Sequence, residues 1–217
     1  MTRRLVAWTG VAAAVFGAIA GLTAAGVFAG LDRAAFDAIA LESSSAFERW
    51  LRAVVWLVSA EGSALCLLGL GVAAIAVRRI RLLVVIAALA LIAAGAVEML
   101  LKGALVQSPP PGHEGVGDAS LVLVNTPYSF PSGHATRVVL LAVTAVLCLP
   151  PAYRRRACVA AIGFGLVVLY SRLALGGHWL SDVAGGVALG AIAVPALLAA
   201  DRLGSARRPR WVHSSSP

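Results

Sequence analysis

Six long apolar runs, at about Leu5–Leu31, Ala53–Val77, Leu82–Leu101, Val138–Pro151, Ala157–Tyr170 and Val183–Ala200, constrain this chain more than any other feature. Runs of this kind cross a bilayer as helices, because hydrocarbon leaves every backbone polar group to be satisfied inside the segment. The fourth and fifth are short and need their flanking residues to span. Only 13% of the residues are charged against 60% hydrophobic, which excludes an ordinary soluble domain. The expected fold is all-α and polytopic: one six-transmembrane-helix bundle over residues 1–202, then a basic, Ser-rich, disordered tail over 203–217.

The net charge of +8 raises nucleic acid as a partner, but the positions of the charges oppose it. With a cytoplasmic N-terminus, Arg3, Arg4, Arg78, Arg79, Arg81, Arg154 to Arg156, Arg202, Arg207, Arg208 and Arg210 all fall inside, twelve of the eighteen Lys and Arg. That is the positive-inside pattern, so the basic clusters read as topology signals and lipid contacts. Both termini are then cytoplasmic. The first run is too long for a signal-peptide core and reads as a retained helix. Cys66, Cys148 and Cys158 lie in or beside apolar runs and imply no disulfide framework. Gly17 with Gly21 and Gly186 with Gly190 have the spacing that lets helix backbones approach; for the first pair composition alone explains the spacing equally well.

Polar residues inside such a chain carry most of the remaining information, since they are costly there and are paired or functional. Asp32 to Arg52 reads as short interfacial helices. Glu61 is expected near the outer side, pairing with a site cation and orienting it, or else reaching water. Glu98 and Lys102 have the acid-first, four-residue spacing of a helical ion pair. Lys102 is the only lysine in the chain, and at a membrane exit the plain reading is a snorkelling anchor. The segment from Gly103 to Phe130, with Pro109 to Pro111, reads as an outer loop in which His113 is solvated.

Two short stretches concentrate chemistry. Ser171 to Asp182 places Arg172, His178 and Asp182 in an otherwise apolar sequence. On a helix His178 and Asp182 would share a face, and a carboxylate beside an imidazole makes its free nitrogen a better base or nucleophile. Pro131-Ser132-Gly133-His134 precedes the fourth run, with Pro and Ser suited to N1 and N-cap positions. Helix N-termini bind anions, and Gly133 permits close approach to the backbone. The topology count puts Lys102, His134, Arg172 and His178 on one outer face, with Arg137 a turn beyond His134. This set suits a tetrahedral anion, held by cations and amides while histidines move a proton or attack phosphorus. His134, His178 and Asp182 are also metal-ligating residue types, but the neighbouring cations would repel an ion.

With these residues the sequence resembles the type-2 phosphatidic acid phosphatase family of membrane lipid phosphatases. That family carries a lysine followed after six residues by Arg-Pro, then Pro-Ser-Gly-His, then Ser-Arg, five residues, His, three residues, Asp. Pro131 to His134 matches the second motif, and Ser171, Arg172, His178 and Asp182 match the third. The first matches at Lys102 and Pro110, with Pro109 where the family has arginine. The resemblance implies His178 as nucleophile through a phosphohistidine, Asp182 as its orienting group and His134 as general acid. It implies Lys102, Ser132, Gly133 and Arg172 as phosphate ligands, with neither metal nor cofactor. Arg137 is expected to supply the charge that Pro109 does not.

The implied protein is an undecaprenyl diphosphate- or phosphatidic-acid-type phosphatase of a bacterial cell membrane, its site extracytoplasmic, its partners substrate and membrane lipids. The alternatives are a catalytically weak or inactive lipid-phosphate-binding relative, which Pro109 favours, and a transporter using Glu61 and the cations. A transporter site belongs nearer mid-membrane, between broken helices.

Overall fold

The computed structural model describes residues 2–41, 46–74, 78–111 and 128–206. Among these the chain is helical throughout, in eight elements: α1 (Thr2–Ala24), α2 (Ala29–Ile39), α3 (Ala46–Trp56), α4 (Ala60–Ala74), α5 (Arg78–Ala104), α6 (Gly133–Cys148), α7 (Pro151–Ala174) and α8 (Leu180–Ala206). Four of them, α1, α5, α7 and α8, are long and apolar enough to cross a membrane. A fifth crossing is made if α3 and α4, bent by 55° to each other, form one span. The remaining apolar run forms α6, a shorter helix.

Two of the expected runs are broken by local chemistry that hydropathy does not register. The first stops at Ala24 rather than Leu31, because Gly26 takes a φ of 71° and turns the chain into α2. The second breaks at Leu57–Ser59. Ser59 Oγ accepts the Gly62 N–H at 3.0 Å and so caps α4. A Cβ at Gly62 would collide with the Trp56 carbonyl, so the bend needs glycine there. At the other terminus α8 continues to Ala206, past the boundary expected at 202; residues 207–217 lie outside the described part.

Packing grades from lipid-facing to buried. None of the α1 span is buried, and Val6, Trp8, Val11 and Val15 point outward, as they must against hydrocarbon. By contrast half of the α8 span is buried, and α8 packs on α1, α5 and α6. Leu83, Ala87 and Ala94 of α5, Leu140 and Leu147 of α6, and Leu197 and Ala200 of α8 make the main core. A smaller cluster, Val58, Val138 and Val168, joins the α3–α4 bend to α6 and α7.

Small residues bring α8 against α6. A Cβ on Gly186 would strike the Ser132 carbonyl, and one on Gly190 would lie 2.9 Å from the Thr136 carbonyl. Thr136 Oγ1 lies 3.0 Å from the Gly186 carbonyl, binding the two helices where they touch. The spacing argument therefore holds for Gly186 and Gly190. It fails for Gly17 and Gly21, which have no neighbour within 4 Å of a Cβ position and reflect composition only.

Far from this contact, Arg154 forks onto Asp201 through two N–O contacts of 2.9 Å. The same guanidinium donates to the Leu147 and Leu149 carbonyls at the end of α6. Those carbonyls have no helical partner of their own. One residue of a basic cluster read as a topology signal is thus also a clamp on three helices.

Candidate functional site

The candidate residues sit at helix ends that meet at one end of the bundle. Lys102 is in the last turn of α5, Ser132, Gly133 and His134 start α6, and Arg172 is in the last turn of α7. His178 lies in the α7–α8 turn and Asp182 in the first turn of α8. All the α6, α7 and α8 members are buried, in a protein whose polar groups have every reason to face water.

Ser132 is the N-cap of α6, extended at φ −72° and ψ 112°, and its Oγ accepts the Ala135 N–H at 3.5 Å. Pro131 precedes this cap, through a cis Phe130–Pro131 bond, rather than occupying N1 as the sequence suggested. The Ser132 N–H donates to the Asp182 backbone carbonyl at 3.0 Å. The two motifs are therefore joined backbone to backbone, which sequence spacing did not disclose. Gly133 and His134 present first-turn N–H groups that precede the helical hydrogen-bond ladder.

His178 and Asp182 touch, but not as two positions on one helix. α7 ends at Ala174, Gly176 takes a φ of 65°, and the Gly177 and His178 N–H groups both return to the Arg172 carbonyl, at 3.0 and 3.2 Å. Glycine at a left-handed position closes a helix, so the chain turns before His178. Asp182 Oδ2 then lies 3.4 Å from His178 Nδ1 and accepts the Trp179 N–H at 2.8 Å. One carboxylate oxygen both starts α8 and holds the imidazole. With Nδ1 on the carboxylate, Nε2 is the nitrogen left for chemistry.

Lys102 is no outward anchor. Its side chain is 13% exposed and turns onto Glu98, Nζ to Oε1 at 3.0 Å. The expected ion pair is present, and it has a third member, because Arg137 reaches Glu98 Oε2 at 3.5 Å. Arg137 Nε also donates to the Val58 carbonyl at 2.9 Å. A Cβ on Gly133 would collide with the Glu98 carboxylate, so this acid lies directly against the Pro-Ser-Gly-His turn. His134 draws the set together: Arg172, Arg137, His178 and Lys102 all stand close enough to act on it electrostatically. Among the described residues no group of three or more His, Cys, Asp or Glu is placed to hold a metal ion.

Three features escaped the sequence. Asp32, assigned there to an interfacial connector, is buried and accepts the Ser181 N–H at 2.8 Å and the Ser181 hydroxyl at 2.7 Å. Gln107 Nε2 donates to the same Ser181 Oγ at 3.3 Å. Together they pin the start of α8, and with it the His178 turn, to α2 and to the segment after α5. Trp179 is the third, with Nε1 on the Ser108 carbonyl at 2.7 Å and Phe36 and Arg33 against its ring. Trp179 also walls a cavity of about 560 Å³ with Thr23, Asp32 and Gln107. Nothing in the spacing separates Asp32 from the exposed Asp37 nearby, so no sequence signal marked it. Glu61 stands in the first turn of α4 and accepts from Ser59 Oγ at 3.1 Å. His113 and the Leu121–Val124 patch lie outside the described residues.

No curated protein registers as a match to this chain. In three dimensions it is similar to a crystal structure described as the first transmembrane PAP2 type phosphatidylglycerolphosphate phosphatase from Bacillus subtilis. The TM-score is 0.74 at 18% identity, covering 94% of this chain and 98% of that one. At that identity the likeness speaks for the fold. The sequence profile of the PAP2 superfamily matches residues 81–202, a stretch containing every candidate residue and more than half of the chain. This chain belongs to the PAP2 superfamily.

Proposed function

We propose that the protein is a lipid phosphatase working through a phosphohistidine, with substrates of the undecaprenyl diphosphate or phosphatidic acid type. The observation that carries this is the convergence on the start of α6, which bears His134 and Arg137, of Lys102 from α5 through Glu98, Arg172 from the end of α7, and His178 with Asp182 from the α7–α8 turn and the start of α8. Structural ion pairs alone have no reason to gather there. In the proposed reaction His178 Nε2 attacks the terminal phosphorus, and its bond to the leaving oxygen breaks, the ester oxygen of a phosphatidic-acid-type lipid or the bridging oxygen of a diphosphate. Asp182 holds Nδ1 and stabilises the cationic ring, while His134 gives its proton to the departing oxygen. Water then attacks the phosphohistidine, His134 takes a proton from it, the N–P bond breaks, and phosphate leaves. Lys102, Arg172, Ser132 and the Gly133 backbone hold the phosphoryl oxygens, doing with protein cations what a metal does elsewhere.

The same reading places the site on the extracytoplasmic face of a bacterial cell membrane, with α6 as the sixth crossing and both termini cytoplasmic. The helix directions support it. Arg3 and Arg4 begin α1, Arg81 stands at the start of α5, Arg154 to Arg156 open α7, and Arg202 is near the end of α8. In α5, α7 and α8 the arginines are at the end of the helix opposite to its own site residue, Lys102, Arg172 or Asp182.

The test is phosphate release by detergent-solubilised protein in EDTA, over undecaprenyl diphosphate, phosphatidic acid and phosphatidylglycerol phosphate. Release is expected to survive chelation and to fall at least about a thousandfold in His178→Ala. Release by His178→Ala at the wild-type rate would end the nucleophile assignment. Pro109 keeps a second reading in view, a relative that binds lipid phosphates without turnover. Folded wild-type protein that binds these lipids and releases no phosphate would establish that one instead.

A further inference from the structure

An acid is the least expected residue in a site for phosphate, and Glu98 is in one. It is 8% exposed, paired with Lys102 at 3.0 Å and Arg137 at 3.5 Å, and packed against Gly133. A carboxylate so close to a proposed phosphate ligand opposes any second anion there by Coulomb repulsion, and the effect is large where water is scarce. A buried cation pair without it would instead demand an anion from outside, since uncompensated buried charge is strongly unfavourable.

We propose that Glu98 is a built-in counter-anion that sets how tightly the site holds inorganic phosphate, and is thereby a positioning residue for product release. When the site is empty, Glu98 satisfies Lys102 and Arg137 and keeps them beside the Pro-Ser-Gly-His turn. With phosphate bound, the shared cations are divided between the two anions, so the product is held less firmly than by the cations alone. The inference rests on the lipid-phosphatase reading, but its measurement is binding, which needs no turnover.

The experiment compares wild type with Glu98→Gln, which keeps shape and removes charge. Inorganic phosphate binding is measured by calorimetry, and thermal unfolding in detergent is followed with and without phosphate. Glu98→Gln is expected to bind phosphate at least about tenfold more tightly. Its unfolding temperature should be lowered without phosphate and raised by phosphate more than that of wild type, because a ligand that binds only the folded state stabilises it by mass action. A variant too unstable to purify in plain buffer but recovered with phosphate present supports the proposal; one that phosphate does not rescue overturns it. Equal or weaker phosphate binding in Glu98→Gln also overturns it, leaving Glu98 as a scaffold for the cations. Wild-type protein that neither binds phosphate nor hydrolyses any lipid would remove the lipid-phosphatase reading itself.

Discussion

Arg137, proposed to supply the charge that the first motif lacks at Pro109, is on α6 one turn from His134 and engaged with Glu98 and the Val58 carbonyl. A guanidinium so placed would add field to the proposed phosphate site, and it ties α6 to Glu98 and to the α3–α4 bend. Arg137→Ala is expected to lower kcat/KM for the lipid about tenfold or more, roughly the range of one lost charged contact to a transition state. Arg155→Ala, at an exposed position of α7, is the comparison, and equal losses in the two variants would refute a role for Arg137. At this scale the sequence was informative. His134, Arg172, His178 and Asp182 are rare polar residues in an apolar chain, and spacing alone raised the contact between His178 and Asp182. It was silent on Glu98 as a neighbour of Gly133, since a contact between α5 and the start of α6 leaves no trace in either segment. The helical route expected for His178 to Asp182 was replaced by a turn, through the left-handed backbone at Gly176.

Among the elements, the beginning of α8 is the most heavily tied. Asp32 accepts from both the N–H and the hydroxyl of Ser181, Gln107 Nε2 donates to the same hydroxyl oxygen, and the Ser132 N–H donates to the Asp182 carbonyl. Asp32→Ala leaves two buried Ser181 donors without that acceptor, at a cost of about 2 kcal/mol. Unfolding several degrees lower is expected, together with a fall in kcat as the His178 turn loosens. Asp37→Ala, exposed on the same helix, is expected to change neither. A wild-type melting temperature and kcat in Asp32→Ala would show that the tether is dispensable. Hydropathy located the apolar runs and thus most of the helices, but not the breaks at Gly26 and Leu57–Ser59. Those depend on single glycines and a serine cap, whose meaning comes from what lies within ångströms of them. The two glycine pairs make the same point: identical spacing, a close helix contact at Gly186 and Gly190, and open space at Gly17 and Gly21.

Across the whole molecule the polar interactions divide between two ends. One holds the candidate site, and the other is closed by Arg154 on Asp201 and on the carbonyls that finish α6. Arg154→Ala removes that charged fork and is expected to cost about 1.5–3 kcal/mol, read as a lower unfolding temperature in detergent. Turnover per folded molecule should persist, because the clamp and the site are at opposite ends. Loss of turnover without loss of stability would contradict that separation. The positive-inside count did not disclose that one of its arginines, Arg154, is structural. The order of synthesis gives the architecture a further consequence. α8 leaves the ribosome after α1, α5, α6 and α7, yet it packs on the first three of these and follows the turn that carries His178. Lys102, His134 and Arg172 lie on helices that precede α8, and the His178–Asp182 contact is completed only once α8 has packed. A chain arrested before α8 lacks both the Asp182 partner of His178 and the Ser132–Asp182 link, so on the proposed reading activity begins only when biogenesis has gone nearly to its end.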